Sequence, residues 1–207
     1  MSTILHELTE LLRELPGIGP RQARRLALWL VRKDPTWVSR LARTLVDARK
    51  GVQGCSLCMR LFEPARAGIK NCDICENSSR ETATLMVVEK DVDMENVERT
   101  GAYRGLYFVL GGTTSLLDKE PERFVRVKEL TARLSNTDKP VQELILALSA
   151  TTEGEDTEAY VRERIASVLE KNTIRVSVLG RGLSTGTELE YVDADTMKSA
   201  LQGRHLA

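Results

Sequence analysis

Cys55-Ser-Leu-Cys58 and Cys72-Asp-Ile-Cys75, thirteen residues apart, hold all four cysteines of the 207-residue chain. A Cys-x-x-Cys knuckle sets two thiolates along one edge of a metal, and two knuckles complete the tetrahedron that zinc adopts with Cys55, Cys58, Cys72 and Cys75. A disulfide pair and an iron–sulfur cluster draw on the same residue type. The zinc reading leads, because a reducing compartment keeps thiols free. Four protein ligands leave no open position, so the site is read as structural. In so short a segment, metal binding supplies much of the folding free energy. The two histidines, His6 and His205, are far away in sequence and are read as unrelated to it. The stretch also divides the chain: helical patterns precede it, and strands and helices alternate after it.

Before the knuckles, Ile4, Leu5, Leu8, Leu11, Leu12 and Leu15 fall on one helical face. Pro16 ends that helix. In Leu15-Pro-Gly-Ile-Gly-Pro20, Gly17 and Gly19 open backbone angles closed to other residues, and Pro20 suits the first turn of a second helix. A third helix follows Asp34-Pro35, with Trp37, Val38, Leu41 and Leu45 expected inward. Such a corner can be plain packing. It can equally cradle a nucleic-acid phosphate, with glycine amides and a helix N-terminus as donors and Arg21 and Arg25 one turn apart beside them. The motif is similar to the helix-hairpin-helix of DNA-binding proteins. Its contacts would go to the backbone and be independent of sequence.

Charge supports that reading weakly. Overall the chain is neutral, but residues 1–50 carry ten Lys/Arg against five acids, and residues 150–207 carry seven against ten. The basic end suits a polyanion. No run approaches the ~20 apolar residues of a membrane span, and no signal peptide is visible, so the expectation is a soluble cytoplasmic protein with no membrane partner.

After the knuckles, strands are predicted at 83–89, 106–110, 143–148 and 174–179, with helices at 92–100, 121–134 and 154–170. That alternation argues for βαβ units and an open parallel sheet. Glu89 would end the first of these strands, and Glu153 and Glu155 follow the third, all at the carboxyl edge where such sheets place their sites. The constellation resembles that of Toprim domains in topoisomerases and primases, where the acids hold Mg²⁺ for phosphoryl transfer. Glu153, Glu155 and Asp156 equally suit a helix N-terminus through its dipole. Both readings stand.

The order of parts is more specific than any one of them. With Thr100-Gly-Ala-Tyr-Arg-Gly-Leu-Tyr-Phe-Val-Leu-Gly-Gly112, Glu153-Gly-Glu155 and Arg181-Gly-Leu-Ser-Thr-Gly-Thr-Glu-Leu-Glu-Tyr191, the whole chain resembles the RecR family of bacterial recombination mediators. It departs from the family's usual pattern at Thr113–Pro121, at Ser149-Ala150-Thr151 and at Lys90. The resemblance implies an α+β multidomain protein: a helix-hairpin-helix module at 1–53, a Cys₄ zinc finger at 54–78, a Toprim domain with a mostly parallel sheet at 79–174, and a C-terminal segment at 175–207. It implies a non-catalytic DNA repair protein that works with RecO and RecF to load RecA at single-stranded gaps. A dimer or tetrameric ring is implied too. Gly17, Gly19, Arg21 and Arg25 fall on the family's DNA-contacting hairpin, and Glu89, Glu153 and Glu155 on its Toprim acids, which also bear on partner binding. The alternative is a Mg²⁺-dependent Toprim nuclease or primase-like enzyme.

Overall fold

The computed structural model describes residues 3–115, 117–136, 140–180, 182–184 and 186–204. Leu116, Arg181, Thr185 and His205, all within stretches read above, lie outside them. The chain divides into two compact units, one ending at Val52 and the other beginning at Gln53.

The first unit holds α1 (Ile4–Arg13), α2 (Pro20–Val31) and α3 (Pro35–Gly51). Thr3 caps α1 by accepting from the His6 amide, and Asp34 caps α3 by accepting from the Thr36 and Trp37 amides. Those bonds hold the Asp34 carboxyl below its usual range, the Thr36 hydroxyl contributing most. Ala23 and Ala27 give α2 its buried stripe. The inward face expected for α3 is a correction: no residue of α3 is buried, and Val38, Leu41, Leu45 and Val46 stay exposed. Ile4, Leu11 and Leu15 of the first helical stretch are exposed as well. Some fifty residues offer too little interior for three amphipathic helices.

In the second unit, β1 (Gln53–Gly54) and β2 (Leu61–Phe62) pair antiparallel around the first knuckle, and α4 (Asp73–Glu76) carries the second. There follow β3 (Glu81–Val88), α5 (Asp91–Thr100), β4 (Gly105–Val109), α6 (Val127–Leu134), β5 (Glu143–Ala147), α7 (Thr152–Asn172), β6 (Arg175–Val178) and α8 (Ala194–Gln202). All four strands of the larger sheet run parallel in the order β4-β3-β5-β6. Since β6 hydrogen-bonds to β5, the sheet extends past residue 174, where the sequence reading drew a boundary.

The helix expected over 121–134 is also corrected. A single 3₁₀ turn at Pro121–Arg123 precedes α6. Between them the chain is drawn onto β4: the Arg126 amide donates to Leu110 O, its guanidinium donates to Val109 O, and Val125 is buried.

The sheet is apolar on both faces, as parallel sheets are. Leu85, Val87, Leu106, Phe108, Leu144 and Leu146 meet Leu130, Leu134, Val161 and Ile165 of α6 and α7. On the other face, Met86, Val88, Tyr107 and Val109 meet Met94 and the four cysteines. The four-cysteine segment therefore shares with α5 the covering of this face of the sheet. Arg80, just after it, makes a two-pronged pair with Glu98 at 2.8 and 2.9 Å and donates to Gly105 O, while the Tyr107 hydroxyl donates to the same carboxylate. Arg80 thus holds the Glu98 carboxyl below its usual range.

Candidate nucleic-acid interface and metal centre

The turn between α1 and α2 is shaped by backbone alone. Gly17 sits at φ 78°, which strains any side-chain-bearing residue, though a Cβ there would touch nothing. Gly19 is the N-cap of α2 and has no side chain to accept from the first-turn amides. α1 and α3 both carry such a cap; α2 starts without one. Around this bare start lies a cavity of about 450 Å³ lined by Gly17, Gly19, Pro20, Arg21 and Gln22. Arg21, Arg24 and Arg25 are exposed, and none pairs with a carboxylate among the described residues. Unspent amide donors, the positive end of a helix dipole and unpaired guanidinium groups are the elements from which anion sites are built. Of the four hairpin residues singled out in the sequence, Gly17, Gly19 and Arg21 line this hollow, and Arg25, one turn further along α2, lines the next one.

The cysteines converge as expected. All four Sγ atoms lie within 4.8 Å of one another, and all four residues are buried. Cys58 and Cys72 are 3.6 Å apart at sulfur. That is far beyond an S–S bond of ~2.05 Å. It is close to the ~3.8 Å edge of a tetrahedron with Zn–S of ~2.3 Å. The Cys72 amide donates to the Cys55 sulfur at 3.3 Å, as a metal-bound thiolate requires. The quartet fits a divalent metal such as zinc. The knuckle geometry is local: Cys55 N–H donates to Arg60 O, Met59 N–H donates to Cys55 O, and Met59 turns into the left-handed region at φ 62°. The Cys58 carbonyl also accepts from Val109 N–H at 2.8 Å, which occupies the last amide on the outer edge of β4.

The three acids reach the carboxyl edge of the sheet without forming a cluster. Among the described residues, the cysteines alone bring three or more ligand atoms within 4.8 Å. Glu153 and Glu155 are exposed on the first turn of α7. Glu89 is 8% exposed, and its Oε1 accepts from the Ser149 amide at 2.6 Å. This bond spans the point between β3 and β5 where the connections leave in opposite directions, the crevice in which open α/β sheets place ligands. A small cavity of about 240 Å³ beside it is lined by Glu89, Asp93, Asn96, Val97 and Ser149 among others.

Gly154, between the two glutamates, is needed for space. A Cβ there would overlap the Ser149 carbonyl and hydroxyl. The Ser149 role was missed in the sequence because its donor is a backbone amide, which no residue type announces.

The second unit thus sets a buried Cys₄ cluster against a parallel sheet, and the first presents a basic hairpin whose second helix starts without a side-chain cap. The comparisons sharpen this. Residues 5–49 match the family model "RecR, helix-hairpin-helix", 83–180 match "Toprim domain", and 182–205 match "RecR, C-terminal". The Recombination protein RecR of Chlorobium phaeobacteroides (strain BS1) is 40% identical over 204 residues, covering 98% of this chain and 97% of its own. That of Carboxydothermus hydrogenoformans is 38% identical over 200 residues, covering 97% and 95%. That of Dehalococcoides mccartyi is 38% identical over 201 residues, covering 97% and 93%. The chain belongs to the RecR family.

Two outcomes test this geometry. Cys58→Ser, or metal removal by a chelator, is expected to cost several kcal/mol of unfolding free energy, a part of the ~10–16 kcal/mol that zinc contributes in finger peptides. An unchanged thermal melt in metal-free protein would refute the structural role. Gly154→Ala is expected to destabilise by about 1–3 kcal/mol through overpacking against Ser149. This outweighs the ~1 kcal/mol that alanine gains in a helix. A urea midpoint equal to or above the parent's would show that the loop yields without strain.

Proposed function

We propose that this protein is a non-catalytic, DNA-binding recombination mediator that acts with RecO and RecF to load RecA at single-stranded gaps. The observation that carries the reading is the uncapped, arginine-flanked start of α2 in a chain of the RecR family. There Gly17 and Gly19 expose amides to a DNA phosphate, and Arg21 and Arg25 take neighbouring ones. Because these contacts go to the backbone, binding is independent of sequence and falls steeply with salt.

The protein does no chemistry in this reading. Glu89 spends its carboxylate on the Ser149 amide, and Glu153 and Glu155 do not close on it. If Mg²⁺ binds at the Toprim acids, these three are the residues that would hold it, supplying charge neutralisation for a partner or a DNA phosphate. Zinc on Cys55, Cys58, Cys72 and Cys75 is structural: it holds together the segment that covers one face of the sheet and takes up the Val109 amide at the β4 edge.

The exposed apolar residues of α1 and α3 support assembly of copies through the first unit into a dimer or ring. Light scattering of the purified protein, with and without a gapped DNA, reads subunit number directly. A strictly monomeric protein in both would remove the ring from this reading. Arg21→Glu together with Arg25→Glu is expected to weaken DNA binding at least tenfold at moderate salt and to flatten the salt dependence. Normal binding by the double variant would show that the DNA surface lies elsewhere.

A further inference from the structure

We propose that Trp29 is a stacking platform for an unpaired nucleobase, so that a single strand whose phosphate is held at the Gly17–Arg21 turn lays a base against it. The proposal rests on the reading of that turn as a phosphate site. Trp29 lies two turns beyond Arg21 and one beyond Arg25 on α2, hence on the same face. It takes no part in the buried stripe of that helix, which is Ala23 and Ala27, and its side chain is left 47% exposed. The indole is nonetheless held in place. Trp37 meets it nearly edge-on, ring centroids 5.4 Å apart at 88°, and the Lys33 ammonium stands 4.4 Å from its centroid. Lys33 and Trp37 come from the C-terminal side. On the N-terminal side a cavity of about 260 Å³ opens between Trp29, Leu26, Arg25 and Gln22. Gln22 also lines the cavity of the hairpin turn, so the two hollows adjoin along α2.

The size and charge of this hollow select the occupant. It falls just below the ~300–1,000 Å³ of ordinary small-molecule pockets, which suits one flat base with its sugar and phosphate outside. α2 carries Arg21, Arg24 and Arg25 and no acid, and Arg32 and Lys33 follow it. A polyanion is favoured there. A second copy packed on this face about a twofold axis would instead bring the same cations together. Bases inside a duplex are already stacked and cannot present a face to Trp29, so the platform favours single strands. Stacking on an aromatic side chain is worth ~1–3 kcal/mol per base, about 5- to 150-fold in affinity, and tolerates any base.

The chain has two tryptophans, so the full-length Trp37→Phe protein reports on Trp29 alone. Its fluorescence is expected to be quenched by oligo(dT) and not by a blunt duplex of equal length. Trp29→Ala is expected to lose about fivefold or more in oligo(dT) affinity with duplex affinity unchanged, and Trp29→Phe to retain most of it. Equal oligo(dT) binding by Trp29→Ala would overturn the platform. So would a change in its light-scattering mass, which would assign the face to contact between copies. The Arg21→Glu, Arg25→Glu protein separates the two ideas. If it loses both DNAs while Trp29→Ala loses neither, the hairpin stands and the platform falls. If it binds both normally, the hairpin reading itself fails.

Discussion

Four sulfurs drawn within 4.8 Å of one another are the constraint on which the segment between the first unit's helices and the second unit's sheet depends. Residues 53–80 contain two strands of two residues and one helical turn, too little regular structure to hold a shape alone. A cation held by the four sulfurs would make the segment one body. That body then does two things for the sheet. Its cysteines and Ile74 bury Met86, Val88, Tyr107 and Val109, and the Cys58 carbonyl takes up the Val109 amide that an edge strand would leave open. An edge with its last amide so occupied is a poorer template for pairing with another chain. Arg80 then fastens the end of the segment to α5 and β4 through Glu98 and Gly105.

The parallel sheet was legible because its strands are continuous apolar runs. Leu85–Val88 and Leu106–Val109 are buried on both faces, and nothing but a covered strand tolerates that composition. The four cysteines were legible because their spacing is a metal geometry written in sequence. What escaped has a common cause. The break before α6 comes from Arg126 bonding two carbonyls of the neighbouring segment, yet residues 121–134 keep a helical period throughout. The bond of Glu89 ends on a main-chain amide. The short β1–β2 pair and α8 in the tail are too brief or too polar to stand out. α3 shows the converse: its apolar stripe predicts burial, but periodicity does not say whether the covering surface belongs to the same chain.

The candidate DNA surface follows the same logic. Gly17 and Gly19 were readable as glycines, and the missing cap of α2 follows directly from Gly19, because a residue without a side chain cannot accept from the helix it begins. The arrangement of Trp29 was not readable. Helical spacing puts the indole on the face of Arg21 and Arg25, but its contacts with Trp37 and Lys33 come from beyond the helix and only the structure shows them.

The bond from Glu89 to the Ser149 amide has a consequence for how the chain can drift over evolutionary time. One partner is a side chain and the other is main chain, so the two positions are constrained unequally. Position 89 must keep an acceptor of that length. At position 149 the bond asks only for an amide hydrogen, which proline lacks, and the side chain there is held instead by the tight approach of Gly154 and by the hydroxyl of Thr151. The loop before α7 is therefore anchored across the centre of the sheet through its main chain.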